Sequence, residues 1–492
     1  MKILLVNPPQ TFYPGSESPA GNLPLGLMYI AAMLQKSGYH VEILDAFMKG
    51  GLPRKDGENL AVGLPFDEIK REIETRKPNI VGIAGPFTCQ IHNTVQVSDL
   101  VKQVNPDVLT VVGGPHVTTV PKGFLEEAKS VDVAVTGEGE YAMPEIAQSF
   151  EGKKLFSDVL GVAYREGGEI KVNPPRDFIR NLDDLPYPAY DLIDMEMYLT
   201  SKMGYRSFRS RAISMVTSRG CPFNCCFCSV HLHMGRGFRA HSPDYVLKHI
   251  QYVVDKFDVK NIFFEDDNLT FDLERFEAIC DGLIQKKIKI GWETPNGVRA
   301  DCLNLGLLQK MKKSGCKSVF FGVESGDQQI LDKVICKSLD LTRVVEVAKI
   351  CQDIGLKTGG FYIIGFPGET KETMQKTVDF ALRLKRDYDV GMHLFMATPS
   401  YGTRLYEECK AKGYIQQNLG WDSFAAARQP KGEPLISTPD FTPEEVKEIA
   451  AKALEEYKRL SLRNHLRHPR KALRTAFEQP QLMGKYIKNL FS

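Results

Sequence analysis

Short apolar runs recur along most of this chain, each followed by a helix-length segment, and they fall into two blocks. In the first block, residues 2–6, 41–44, 80–83, 109–112 and 131–135 have strand composition. Strands that are apolar along their whole length, with such connections, indicate a parallel sheet covered on both faces. Pro24 is placed to open a helix carrying Leu25, Met28, Tyr29, Ala32 and Leu34, and Gly38 to end it. A doubly wound α/β domain is therefore expected over residues 1–150. Such sheets bind ligands outside the carboxyl ends of their strands. Those ends carry Asn7-Pro8-Pro9, Gly85-Pro86-Phe87, Gly113-Gly114-Pro115-His116 and Gly137-Glu138-Gly139-Glu140.

Over 151–205 the pattern weakens to one strand-like run, 159–164, a turn at Gly167-Gly168, and Asp183-Asp184-Leu185-Pro186-Tyr187-Pro188, which reads as a linker. The alternation then resumes with candidate strands 212–217, 261–265, 288–293, 318–323, 358–364 and 392–397. Six such units predict a partial (β/α)6 barrel over 206–430, with its site at the strand C-termini by analogy with full barrels. Trp292, Tyr362, His393 and Tyr401 are candidates to line its cavity, with core packing as the alternative for each. Residues 431–492 have helical composition and turn basic: Lys458, Arg459, Arg463, Arg467, Arg470, Lys471, Arg474, Lys485 and Lys488. Leu460, Leu462, Leu466, Leu473 and Phe477 interleave with these cations. Two readings stand, a helix lying against anionic lipid and a solvated helix covering the barrel.

Lys plus Arg number 63 against 61 Asp plus Glu, so a formal charge of +2 gives no global field toward nucleic acid, and no such partner is expected. No apolar run approaches the ~18 residues of a membrane span, and the first residues lack the features of a secretory signal. A cytoplasmic location is expected, with membrane association only through the basic C-terminal region. Four of the eleven cysteines lie within Cys221-Pro222-Phe223-Asn224-Cys225-Cys226-Phe227-Cys228, which suits a metal site in a reducing compartment better than disulfides. The scattered Cys89, Cys280, Cys302, Cys316, Cys336, Cys351 and Cys409 are assigned no chemistry.

Cys221, Cys225 and Cys228 have the spacing C-x3-C-x2-C directly after a candidate strand. Thiolates are the usual ligands of iron–sulfur clusters, and four saturate a four-iron cube. Three leave one iron open for a small chelate. Spacing alone leaves a zinc site open as well, completed by Cys226, His231 or His233.

This segment resembles the cluster loop of radical S-adenosylmethionine (SAM) enzymes. Glu265-Asp266-Asp267-Asn268, Gly322-Val323-Glu324-Ser325-Gly326 and Gly365-Phe366-Pro367-Gly368-Glu369-Thr370 extend the resemblance at later strand ends. It implies a [4Fe-4S] cluster on Cys221, Cys225 and Cys228, with SAM on the unique iron. It further implies SAM contacts from the Phe227 backbone, from Asp266 or Asp267, from Glu324 or Ser325, from Arg299 to the carboxylate, and at Gly365. The first block, with Pro24-Leu25-Gly26-Leu27-Met28-Tyr29, Asp45-Ala46 and the glycine-rich strand ends, is similar to the cobalamin-binding domain that precedes many radical SAM cores. Together the similarity covers roughly residues 1–425. It implies cobalamin contacts from Asn7, Pro8, Thr88, Gln90, Gly113, Gly114, His116, Gly137, Glu138 and Gly139. Domains that ligate cobalt with histidine carry D-x-H-x-x-G, and none of the ten histidines here lies in that pattern. Cobalamin without a histidine ligand is therefore expected, with His116 as a rim residue.

In family terms the chain is expected to be a cobalamin-dependent radical SAM methyltransferase acting at an unactivated carbon through a 5′-deoxyadenosyl radical. Such chemistry needs cofactors because side chains supply neither the electron nor the radical. The resemblance implies a one-electron reductant such as ferredoxin or flavodoxin and a small-molecule or lipid-like substrate. The same architecture serves relatives that cyclise or rearrange rings or modify lipids without methyl transfer, which is the alternative activity. A cobalamin- or zinc-binding sensor without turnover is the alternative of another class.

Overall fold

The computed structural model describes residues 1–12, 21–51, 53–201, 211–416, 419–427 and 432–467. Its first sheet has seven strands: β1 (Lys2–Asn7), β2 (His40–Asp45), β3 (Ile80–Ala84), β4 (Leu109–Gly113), β5 (Val133–Val135), β6 (Val162–Glu166) and β7 (Glu169–Val172). They lie in the order β7-β6-β5-β4-β3-β1-β2. The first five are parallel, and β6 and β7 add antiparallel at one edge. The sheet thus continues beyond residue 150, with Gly167 and Gly168 turning β6 into β7. Order 2-1-3-4-5 places a topological switch point between β1 and β3, where open α/β sheets bind ligands. β1 shows why the runs are wholly apolar: Ile3 and Leu5 enter one core and Leu4 and Val6 the other.

The second sheet contains β8 (Ala212–Met215), β9 (Asn261–Phe264), β10 (Gly291–Val298), β11 (Cys316–Glu324), β12 (Lys357–Ile364) and β13 (Gly391–Met396). These six pair in chain order, every pair parallel, as the partial barrel requires. Val319, Phe321, Val323, Tyr362, Ile364 and Leu394 are buried in the core. The alternate residues Phe320, Phe361 and His393 meet ring to ring, with centroids 5.4–5.6 Å apart, and Phe395 joins Phe361 at 6.1 Å. Trp292 and Tyr362, candidates for the cavity wall, are core residues instead.

Helix Pro443–Arg467 packs on helix Lys371–Tyr388 and on β13. Val446, Ala450 and Ala453 form its buried stripe, and Lys385 Nζ stands 5.3 Å from the Tyr457 ring. This part of the C-terminal region covers the barrel. The cations Arg470, Lys471, Arg474, Lys485 and Lys488, with Leu473 and Phe477, lie outside the described residues. Among the described residues no helix is long and apolar enough to cross a membrane.

The segment between the sheets is tied to the barrel by rings. Tyr187 stacks on His249 at 4.4 Å, and the Tyr190 hydroxyl shares a 2.9 Å hydrogen bond with His249 Nε2. Burial pushes the His249 imidazole down to about 3. Between that value and the ordinary histidine range near 6.5 the unfolded chain binds the extra proton, so stability falls as pH drops from 6.5 toward 3. Tyr190→Phe leaves His249 Nε2 buried without a partner. We expect it to cost about 1–3 kcal/mol in urea unfolding at pH 7.5. The wild-type unfolding midpoint should decline measurably between pH 6.5 and 4.5.

Candidate active site

The cysteine loop leaves β8 through a segment held by two carboxylates and by a two-residue ladder, Ser218–Arg219 with Arg239–Ala240. Asp266, at the end of β9, is 1% exposed. It accepts from Thr217 N at 2.8 Å, Thr217 Oγ1 at 2.6 Å and Ser218 Oγ at 2.6 Å. Asp267 accepts from Gly220 N at 2.8 Å. Burial raises both carboxyls above the usual range, Asp267 to about 6. Arg275 completes the frame by donating to the Thr217 and His241 carbonyls. Gly220 has φ +82°, and a Cβ there would stand 2.3 Å from the Gly237 carbonyl oxygen, so only glycine fits before Cys221.

Cys221, Cys225 and Cys228 are free and half-buried. Asn268 Nδ2 lies 3.7 Å from Cys221 Sγ. Burial pushes the Cys228 thiol up to about 12, so a metal must displace its proton to bind. Cys226 is turned into the core, with its N–H on the Ile335 carbonyl and its own carbonyl accepting from Leu405 N. A zinc site needs four donors around one ion. Among the described residues no three His, Cys, Asp or Glu side chains gather in that way. Cysteines of a four-iron cube each hold a different iron, and three free thiols on one glycine-entered loop suit that group.

The remaining SAM candidates surround this loop, though several are engaged by the chain itself. Asp266 holds the loop backbone with both oxygens. Ser325 is buried, sharing a 3.0 Å bond with Thr377 Oγ1 and accepting from Asp327 N. Arg299 donates to the carbonyls of Lys337 and Ser338 and lies 4.0 Å over the ring of Phe223, inside the cysteine loop. Glu324, at the end of β11, has φ +71°, a strained conformation for a residue with a side chain. Its Oε1 accepts from Lys337 Nζ at 2.7 Å, and both residues are under 10% exposed. Lys337 carries no motif and lies 13 positions away, so nothing in the sequence singled it out. The Phe227 ring is 5.9 Å from that of Phe366. Gly365 and Phe366 donate their N–H groups to Glu369 Oε2, while the other Glu369 oxygen is buried without a partner. Burial pushes this carboxyl up to about 7.

At the first sheet, Asn7 Nδ2 donates to Asp45 Oδ1 at 2.8 Å beside the buried Pro8. Asp45 Oδ2 is buried without a partner, and burial raises that carboxyl to about 6. Gly114 has φ +135°, and a Cβ on it would come within 2.3 Å of the Gly85 carbonyl oxygen. This close approach brings Thr88 Oγ1 to 3.0 Å from His116 Nδ1. His116 Nε2 is buried and unpartnered, and burial holds the imidazole near 4, hence neutral at pH 7. Gln90 turns its amide to the Thr11 backbone, accepting from N and donating to O. Gly113 ends β4, Gly137 N donates to Thr118 Oγ1, and Gly139 starts the helix that packs on Ile30. Glu138 is taken up by arginines of the barrel rather than left open at the strand end. Orphaned polar atoms on Asp45 and His116, flanking the switch-point loop, are what a polar cofactor edge would satisfy.

The carboxyl ends of the two sheets meet each other. Glu138 and Glu140 bind Arg219 and Arg239, helix Pro115–Thr119 packs on helix Val230–His233, and helix Trp421–Ala427 packs on the Thr88–Gln90 turn. Trp421 and Tyr401 stand 5.6 and 6.1 Å from His116, so Tyr401 belongs to this seam. The candidate cobalamin and cluster loops therefore border one composite site.

The two halves match different family models. Residues 19–147 match the B12 binding domain, and residues 215–381 match the radical SAM superfamily. The chain is 32% identical over 453 residues to an uncharacterized methyltransferase of Pyrococcus horikoshii, covering 92% of this chain and 91% of that protein. It is 30% identical over 486 residues to the cytidylyl-2-hydroxyethylphosphonate methyltransferase of Streptomyces wedmorensis, covering 92% and 89%. The fold is shared with the radical SAM methyltransferase TsrM of Kitasatospora setae, solved with cobalamin and a [4Fe-4S] cluster, at TM-score 0.69, 15% identity and coverage of 93% and 88%. The chain belongs to the cobalamin-dependent radical SAM enzymes.

Asp266→Ala removes the acceptor of three buried donors. It should lower stability by about 3 kcal/mol or more. Thermal unfolding and iron content after anaerobic reconstitution measure the effect, and both should fall together.

Proposed function

We propose that the enzyme transfers methyl from SAM, through cobalamin, to an unactivated carbon of a small-molecule substrate, with electrons from a one-electron donor such as ferredoxin or flavodoxin. The observation that carries this reading is the full-length similarity to two proteins named methyltransferases, together with the meeting of the cysteine loop and the switch-point loops in one seam. When bound, the cluster supplies the electron that cleaves SAM, and cobalamin supplies a carrier for the methyl group.

The chain's own residues then bind and orient. Cys221, Cys225 and Cys228 would hold three irons of the cluster, the Phe227 backbone would meet the adenine, and the Gly365 turn would contact SAM. Glu324, fixed by Lys337, receives the ammonium or ribose hydroxyls of SAM. Arg299 sets the position of both the cysteine loop and the Lys337 segment. Thr88, His116 and Asn7 border the cobalamin face. Phe320 and Phe361, half-buried, and the exposed His393 present a cluster of rings on the barrel sheet where a substrate could rest. The seam buries these loops against one another, which is how such sites exclude solvent.

A second reading has a specific observation behind it. The chain is 28% identical to an anaerobic magnesium-protoporphyrin IX monomethyl ester cyclase of Rubrivivax gelatinosus, covering 83% of this chain and 70% of that one. The product ratio separates the readings. Methyl transfer yields S-adenosylhomocysteine and 5′-deoxyadenosine in equal amounts with methylated product, whereas cyclisation yields 5′-deoxyadenosine alone. Replacing Cys221, Cys225 or Cys228 with Ala should abolish reductant-driven SAM cleavage; retained turnover overturns the cluster assignment.

Lys337→Gln leaves Glu324 buried beside a neutral partner. Losing one charge-assisted hydrogen bond should weaken SAM binding by about tenfold in equilibrium dialysis. Iron content should stay unchanged.

A further inference from the structure

The cysteine loop is anchored in the other half of the molecule. Arg219, two residues before Cys221, sends Nη1 to Glu138 Oε1 and Nη2 to Glu140 Oε1, each at 2.7 Å. Arg239, its partner in the two-residue ladder of Ser218–Arg219 with Arg239–Ala240, donates to both Glu138 oxygens and to the Ile179 carbonyl. Ile179 N donates to Glu138 Oε2, and Tyr29 lies 5.3 Å beneath the Arg219 guanidinium. The four side chains are 4–11% exposed. Two cations and two anions balance, so the cluster is neutral as a whole.

Burying four charges is an expensive way to join two domains, because a packed apolar contact of the same volume holds as well or better. What the ionic contact adds is geometry. The guanidinium fork reads two carboxylates at the two ends of Glu138-Gly139-Glu140, and only one rotation and one distance satisfy both. That geometry passes along a short rigid path, since Gly220 N is fixed by Asp267 and Thr217 and Ser218 by Asp266.

We infer that Arg219, gripped by Glu138 and Glu140, is a positioning residue that sets the distance and orientation between the cobalamin-side loop and the cluster-bearing loop. The inference rests on the cofactor assignment above and deepens it. Misplacing reacting groups by about 1 Å costs on the order of a hundredfold in rate. Loosening this joint should therefore separate the two uses of SAM rather than abolish both.

The test uses the full chain, reconstituted with iron and sulfide and loaded with hydroxocobalamin, as wild type, Arg219→Gln, Arg219→Lys and the milder Glu140→Gln. Iron and cobalamin per chain are measured first. The dipolar coupling between cob(II)alamin and the reduced cluster is then read by pulsed electron paramagnetic resonance. Finally SAM with titanium citrate is supplied, and S-adenosylhomocysteine and 5′-deoxyadenosine are quantified. Wild type should show one narrow coupling. Arg219→Gln should keep both cofactors and 5′-deoxyadenosine release within about threefold, broaden the coupling, and lower S-adenosylhomocysteine by about tenfold or more. Arg219→Lys, which keeps the charge but not the fork, should fall between, and Glu140→Gln should shift in the same direction if Arg219→Gln does not fold. A native coupling and native product ratio in a variant that retains both cofactors overturns the inference. Loss of cofactors in the variants, with native coupling in the loaded fraction, also overturns it by showing a merely structural role. If the wild type itself takes up no cluster or no cobalamin, the functional assignment fails instead.

Discussion

Two adjacent carboxylates at one strand end hold the rest of the site in place. Asp266 and Asp267 bind the backbone and hydroxyls of residues 217–220, the stretch between β8 and Cys221. The stretch has only the two-residue ladder of Ser218–Arg219 with Arg239–Ala240, so the N–H groups of Thr217 and Gly220 on either side come to rest on carboxylates. Burial strengthens these bonds electrostatically, and raised carboxyl values mark the desolvation that accompanies them. The same loop is gripped from the other side by the Glu138 and Glu140 carboxylates through Arg219. Acid groups expected to touch ligands thus build the frame that ligands would enter.

The frame explains how one chain brings the two candidate cofactor loops together. Parallel sheets send all their functional loops to one end, and here the ends of both sheets abut. Neither set of loops closes its site alone: Trp421 and Tyr401 of the barrel half lie against His116, while Glu138 of the first sheet steadies the cysteine loop. His116, with Nδ1 on Thr88 Oγ1 and Nε2 buried, is part of the seam between the two sheets.

Much of this was legible in the residues. The twelve candidate strands of the two main blocks and of run 159–164 all appear within a few residues of their expected places, because most are largely apolar and each main-block run is set off by helix-length segments. The run after residue 150 was legible as a strand but not as part of the first sheet, since antiparallel addition at an edge leaves no mark in composition. The cysteine spacing pointed to a candidate cluster loop, and glycine at 114 and 220 coincides with close backbone contacts. What stayed hidden were partners distant in sequence. Lys337 beside Glu324 has no motif of its own. Gln90, named among the implied cobalamin contacts, turns its amide to the Thr11 backbone. Asp266 and Ser325 sit in motifs whose pattern does not say which oxygen faces a ligand and which faces the chain.

By itself, then, the sequence determined the two blocks of parallel strands and the three thiols, because hydrophobic period and ligand spacing are local properties of a chain. Only the tertiary structure decided which carboxylates are scaffold and which stand open, and that the two strand ends share one seam. Those outcomes depend on hydrogen bonds and ion pairs between residues tens to a hundred positions apart, whose geometry exists only once both sheets have packed.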